Sequence, residues 1–269
     1  MSGIERIAEA FASARADGRE AAMMPYLMGG FPDLEGSRRI GLAYAHAGAD
    51  IVELGVPFSD PLADGPVIHA AGTLALSAGA TVPGVLDVCR TIAERVPVVV
   101  MCYCNPILAR GLERFVDALA AAGASGLIVP DLPLEESAPA LAACDARGIA
   151  LVPLVAPTTP DDRLTRIGAE ARGFVYAVSV TGTTGERATL DGAIAGVVAR
   201  TASSTDVPVA VGFGIAIPEH AAAAAAAGAD GVIVGTRLVR AAGEAEDPAH
   251  AVADLVRQFL AALRRQAVS

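Results

Sequence analysis

One carboxylate is out of keeping with its surroundings. Glu53 lies in the run Ile51-Val52-Glu53-Leu54-Gly55, which otherwise reads as a buried strand, and a charge in an apolar strand is expensive unless it has a partner or a task. It could pair with an arginine. It could also serve as a general acid–base group whose pKa is moved by burial. The residues that follow, Gly-Val-Pro-Phe-Ser-Asp-Pro-Leu-Ala-Asp-Gly-Pro over 55–66, hold three prolines, two glycines and two aspartates. A loop this stiff can present a second carboxylate, Asp60 or Asp64, opposite the first, although aspartate also caps turns and either could do only that.

Three glycine-bearing stretches supply the other chemical signal: Thr-Gly-Thr-Thr-Gly over 181–185, Gly-Phe-Gly over 212–214 and Gly-Thr over 235–236. Glycine lets backbone approach a ligand closely, and free N–H groups at a helix start attract an anion. The chain carries a formal charge of -10, so a nucleic-acid partner or an anionic membrane surface is a poor fit and any anion must be held locally. All 20 cationic side chains are arginine. Without lysine there is no Walker phosphate loop and no Schiff-base nucleophile. The histidines at 46, 69, 220 and 250 show no metal-ligand spacing, and no metal site is expected. Carboxylates alone can cleave a carbon–carbon bond only where protonation stabilises the leaving carbon, as it does at C3 of an indole ring.

The elements that would position these groups are legible in the apolar pattern. Eight short runs, at 22–28, 50–54, 96–104, 126–130, 150–155, 174–179, 207–211 and 231–235, read as buried strands with helical stretches between them. Continuous apolar strands joined by helices indicate a parallel sheet covered on both faces. Helices are expected over 112–122, 135–147 and 218–227, each followed by a glycine at 123, 148 or 228, where a C-terminal cap residue belongs. Residues 1–18 read as an additional amphipathic helix, with Ile4, Ile7, Ala8 and Phe11 at helical spacing. Eight units in roughly 250 residues fit a closed barrel better than an open doubly wound sheet. The expectation is an α/β protein, a single-domain (β/α)8 TIM barrel over 1–269 with an extra N-terminal helix, its active site at the C-terminal ends of the strands. No stretch has the roughly 20 apolar residues of a membrane helix. Cys89, Cys102, Cys104 and Cys144 lack Cys-x-x-Cys spacing and suit reduced core thiols in a cytoplasm.

The stretch 53–66, with Leu-Met-Gly-Gly-Phe-Pro-Asp at 27–33, Tyr-Cys-Asn-Pro at 103–106, Ile-Val-Pro-Asp-Leu-Pro-Leu-Glu-Glu at 128–136 and the residues 212–215, resembles the tryptophan synthase α-subunit family along nearly the whole chain. The resemblance implies cleavage of indole-3-glycerol phosphate to indole and glyceraldehyde 3-phosphate. Glu53 would be the acid–base group and Asp64 the carboxylate facing the indole N–H. Tyr176 would position Glu53 and substrate, and Met101, Ile128 and Phe213 would line the indole pocket, with Phe31 a looser match. Gly185, Gly214, Gly235 and Thr236 fall on phosphate positions, with Thr184 in a closing loop. The resemblance also implies docking on a β subunit that carries pyridoxal phosphate, through the loops at Asp60 and at 131–133, with no cofactor in this chain. A stand-alone lyase, or an inactive barrel that activates a β subunit, would share most of these features. Met28-Gly29, Ala216 and Thr236 depart from the family pattern.

Overall fold

Valine, isoleucine and leucine runs form the strands because a parallel sheet buried on both faces has no position for a polar side chain. The computed structural model describes residues 1–178, 193–212 and 214–265. Its strands are β1 (Ala22–Met28), β2 (Val52–Gly55), β3 (Val98–Met101), β4 (Gly126–Ile128), β5 (Ala150–Val152), β6 (Leu154–Val155), β7 (Val175–Val178), β8 (Val209–Gly212) and β9 (Gly231–Val234). All pair in parallel, in the order β5-β4-β3-β2-β1-β9-β8-β7-β6. The outermost strands β5 and β6 are halves of the one strand expected over 150–155, interrupted at Pro153, which has no N–H to give to a ladder. The chain passes directly from one half to the other, so the sheet closes into the TIM barrel that the alternation implied.

The helices are α1 (Gly3–Ala16), α2 (Leu34–Ala47), α3 (Pro66–Ser77), α4 (Val82–Ala93), α5 (Cys104–Arg110), α6 (Leu112–Ala121), α7 (Ala138–Asp145), α8 (Asp161–Glu170), α9 (Ala193–Ala202), α10 (Pro218–Ala226), α11 (Thr236–Glu244) and α12 (Pro248–Ala262). Two boundaries differ from the sequence expectation. The run 96–104 is strand only to Met101, because Cys104 already opens α5. There Pro106 sits in the first turn, where its missing N–H is no loss, and the Cys104 N–H is bound by Asp131 Oδ1 at 2.8 Å. The stretch 135–147 starts as a 3-10 turn, Leu134–Glu136, before α7, since Pro139 cannot donate back to the Glu135 carbonyl.

Two apolar layers result. One lies between strands and helices, and the other fills the barrel, where Met24, Ile51, Val99, Ile128, Val152, Ala210 and Ile233 meet side chains of α1. Helix α1 is fixed by a capping box between Ser2 and Glu5. It inserts Ile7 and Phe11, both at most 2% exposed, into the barrel floor, each contributing about 1.5–3 kcal/mol by burial. The thiols of Cys89, Cys102 and Cys144 are buried, and burial pushes each up to about 12. Among the described residues no single helix is long and apolar enough to cross a membrane.

Below the strands, Arg19 donates to both oxygens of Asp50 at 2.5 and 2.8 Å, and Asp50 Oδ2 also accepts the Met23 N–H at 2.8 Å. Both side chains are nearly closed off from water, so removing the Asp50 charge leaves Arg19 with only the exposed Asp17, at 3.2 Å. Asp50→Asn is therefore expected to lower the unfolding free energy by about 3 kcal/mol, read from urea denaturation, while leaving the ligand affinity of the folded chain unchanged. A loss below roughly 1 kcal/mol, the scale of an exposed pair, would contradict this.

Candidate active site

Strand β2 points Glu53 into the barrel, in register with Tyr26 on β1 and Val99 on β3. The side chain is 1% exposed, and neither carboxyl oxygen has a hydrogen-bond partner among the described residues. Among the described residues no arginine pairs with it. Burial raises its pKa to about 8, with the negative charge of Asp64 adding to the effect. Burial thus favours the protonated acid at neutral pH.

Asp64 comes from the loop between β2 and α3. Its Oδ1 accepts a hydrogen bond from Tyr103 Oη at 2.8 Å, and the same phenol oxygen accepts the Ala63 N–H at 3.1 Å. Burial raises the Asp64 carboxyl, but the Tyr103 hydrogen bond and the charge of His69 oppose that rise. Glu53 has no such support. Burial raises both carboxyl groups, and at Asp64 the Tyr103 hydrogen bond offsets part of the rise, so the two are held differently.

Two tyrosines flank Glu53, and each depends on a glycine. A Cβ at Gly55 would lie 2.1 Å from Tyr26 Oη, and one at Gly212 would lie 2.2 Å from Tyr176 Oη. Gly212, which in sequence belongs to a phosphate-type glycine stretch, makes room for a phenol. The same logic accounts for Met28-Gly29. A Cβ at Gly29 would strike Val85 at 2.6 Å, and the Met28 methyl reaches α3 at Gly72.

The cavity above Glu53 contains roughly 650 Å³ of empty space, the open solvent at its mouth included. Glu53, Asp64, Tyr176, Met101, Gly214, Gly235 and Thr236 all line it, as do Tyr26, Ile68, Leu154, Ile215 and Ile233. Ile128 does not. It is fully buried in the barrel filling, and Pro130, further along the same strand direction, lines the wall instead. Phe31 also lies elsewhere, packed against Gly243 of α11. Thr184, Gly185 and Phe213 lie outside the described residues.

Opposite the carboxyl groups the wall is backbone. Gly235 is the N-cap of α11 and Thr236 its first residue; the first bond of the helix is Leu238 N–H to the Gly235 carbonyl at 2.9 Å, so the N–H groups of Thr236 and Arg237 precede the helical ladder and can receive an anion. Gly214 adopts φ +81°, a conformation that favours glycine. His220 Nδ1 lies 3.1 Å from the Gly214 carbonyl oxygen and 3.3 Å from the Ala216 nitrogen, which ties down this turn. No spacing in the sequence marked Tyr26, Tyr103 or His220, because aromatic and imidazole side chains in strands and helices pass for core.

The buried acid sets a dependence of stability on pH. The folded pKa of about 8 exceeds the ordinary value of 4.5, so the folded state holds this proton more tightly. Its contribution to stability is complete below about pH 4.5 and is lost as pH rises through about 8, at up to ~1.4 kcal/mol per pH unit. Glu53→Gln removes the titration. Denaturation of both proteins from pH 5 to 8.5 is expected to show the variant gaining on the parent by a few kcal/mol. Parallel stability profiles would contradict the raised pKa.

Residues 11–267 match the family model described as tryptophan synthase alpha chain. The tryptophan synthase alpha chain of Synechococcus elongatus is 48% identical over 264 residues, 97% of this chain and 98% of that protein. The one from Gloeobacter violaceus is 50% identical over 87% of this chain and 86% of its own length. Among solved structures, a chain of Mycobacterium tuberculosis tryptophan synthase superposes with a TM-score of 0.91 at 39% identity, covering 97% of this chain and 99% of that one. A chain from the Pyrococcus furiosus tryptophan synthase complex gives 0.84 at 32% identity, covering 90% and 99%. Matched in sequence and fold along almost its entire length, this chain belongs to the tryptophan synthase alpha chain family.

Proposed function

We propose that this chain cleaves indole-3-glycerol phosphate into indole and glyceraldehyde 3-phosphate, as the α subunit of a tryptophan synthase in L-tryptophan biosynthesis in the cytoplasm. The observation that carries the reading is the pair of differently held carboxyl groups in one apolar cavity, with a helix N-terminus across from them.

The phosphate binds at the N–H groups of Gly235 and Thr236 and the turn at Gly214, without a cationic side chain. The indole ring fills the apolar part, against Met101 and Leu154. Glu53, protonated, gives its proton to indole C3, and the ring becomes an indoleninium. Positive charge then develops at the indole nitrogen, whose N–H points at the Asp64 carboxylate. Glu53, now an anion, takes the proton of the hydroxyl on the carbon attached to C3. The C–C bond breaks, its electrons return to the ring, and the aldehyde forms. The net change is one proton moved from oxygen to carbon, which a single buried carboxyl can shuttle. The step uses no cofactor in this chain.

Two exposed leucines favour a subunit over a stand-alone lyase. Leu62, 77% exposed, lies in the loop that carries Asp64, and Leu108, 68% exposed, lies on α5 at the same mouth. With Asp60 and the loop at 131–133 they form the face that docks on a β subunit carrying pyridoxal phosphate. The solved Pyrococcus furiosus relative is described as an α2β2 complex with mutual activation.

Indole release from indole-3-glycerol phosphate, measured for the purified chain alone and with its β subunit, tests the reading. Release that rises strongly with β is expected. Glu53→Gln should lower it by about a thousandfold or more while glycerol 3-phosphate still binds. Near-normal turnover in that variant would overturn the assignment of Glu53. No release in either preparation would overturn the function.

A further inference from the structure

We propose that Tyr103 is a positioning residue for the reaction, holding the Asp64 carboxylate in the one orientation that faces the developing charge on the ring nitrogen. The proposal rests on the role given to Asp64 above. It starts from a mechanical problem. Asp64 sits on a loop without regular structure, yet a carboxylate that stabilises a transition state must be placed to a fraction of an ångström.

Tyr103 solves this with a single oxygen. Its hydroxyl donates to Asp64 Oδ1 at 2.8 Å and accepts the N–H of the preceding loop residue, Ala63, at 3.1 Å. Both the carboxylate and the adjoining backbone are thereby referred to one atom. The phenol itself is 3% exposed and anchored in the barrel wall. It lies two residues past the end of β3 and is the N-cap residue of α5, and Asp131 Oδ1 holds the next N–H, that of Cys104. Phe58, from the Asp64 loop, lies against its ring at a centroid distance of 5.6 Å. Loop and wall are thus joined twice, through an apolar contact and through the hydroxyl. Burial keeps the phenol protonated, so it remains a donor across the working pH range.

Tyr103→Phe keeps the ring contact and deletes only the hydroxyl. The expected result is a fall in kcat of roughly tenfold to a hundredfold with KM little changed, because the contact matters most once charge has developed. A purely structural tyrosine would not move a second readout. Loss of a donor to the carboxylate raises the Asp64 pKa, so the acid limb of the kcat/KM profile should shift to higher pH. Carboxyl 13C resonances of aspartate-labelled protein, with the Asp64 signal identified by its loss in Asp64→Asn, should show the same upward shift without any substrate. If the resonance shifts but neither protein releases indole, the positioning stands and the proposed reaction falls. If the parent releases indole and Tyr103→Phe matches it in kcat, acid limb and Asp64 titration, the positioning is overturned.

Discussion

A carboxyl group buried in the barrel, with no hydrogen-bond partner among the described residues, is the condition to which the rest of this molecule is adjusted. An ionised Glu53 at that depth would cost several kcal/mol in lost hydration, so the group keeps its proton, with burial and the nearby Asp64 acting in the same direction. An acid that is weak in its resting state is strong enough to protonate carbon only if the resulting cation is met by a fixed negative charge. The second carboxylate therefore has to be close and has to be held differently. Asp64 accepts a hydrogen bond from the Tyr103 phenol, and no described residue donates to Glu53.

The barrel separates this strained chemistry from the contacts that hold the fold. Below the strands lie the α1 plug and the enclosed Arg19–Asp50 pair, both on the face where a (β/α)8 barrel keeps its structural contacts. Above them lie the acid, its counterpart and the start of α11, where Gly235 and Thr236 line the cavity. In a chain with a net charge of -10 and no lysine, backbone N–H groups at a helix start are the kind of donor that can attract an anion at short range, where net charge matters little. Glycines at 55 and 212 are part of the same economy of space. Each leaves room for a phenol beside the acid, and alanine at either position would press on a tyrosine hydroxyl.

How much of this is legible in the chain follows from what each signal depends on. Glu53 shows itself because a charge interrupts an apolar strand, and the barrel shows itself in the eightfold alternation, since both are local patterns. Pro153 splits the fifth strand because it has no N–H for the ladder, and the end of the third becomes a helix at Cys104, whose N–H is held by Asp131, a residue distant in sequence. The cavity wall is harder still. Whether Ile128 or Pro130 meets the ligand depends on how far each strand rises within the barrel, which register between strands fixes and composition does not. Tyr26 and Tyr103 are hidden for a related reason: an aromatic in a strand reads as core until the third dimension shows its hydroxyl beside a carboxylate. Gly212 carries the opposite error, a glycine that suggests phosphate and serves a phenol.

The central claim is that Glu53 is a neutral acid in the resting protein, and infrared difference spectroscopy tests it most directly. The parent minus Glu53→Gln difference should contain a protonated carboxyl stretch that persists through pH 7 and gives way to carboxylate near pH 8, where burial places the midpoint. A carboxylate band already dominant at pH 6 would mean that the group is charged at rest, and the account of a barrel built around a neutral acid would be wrong.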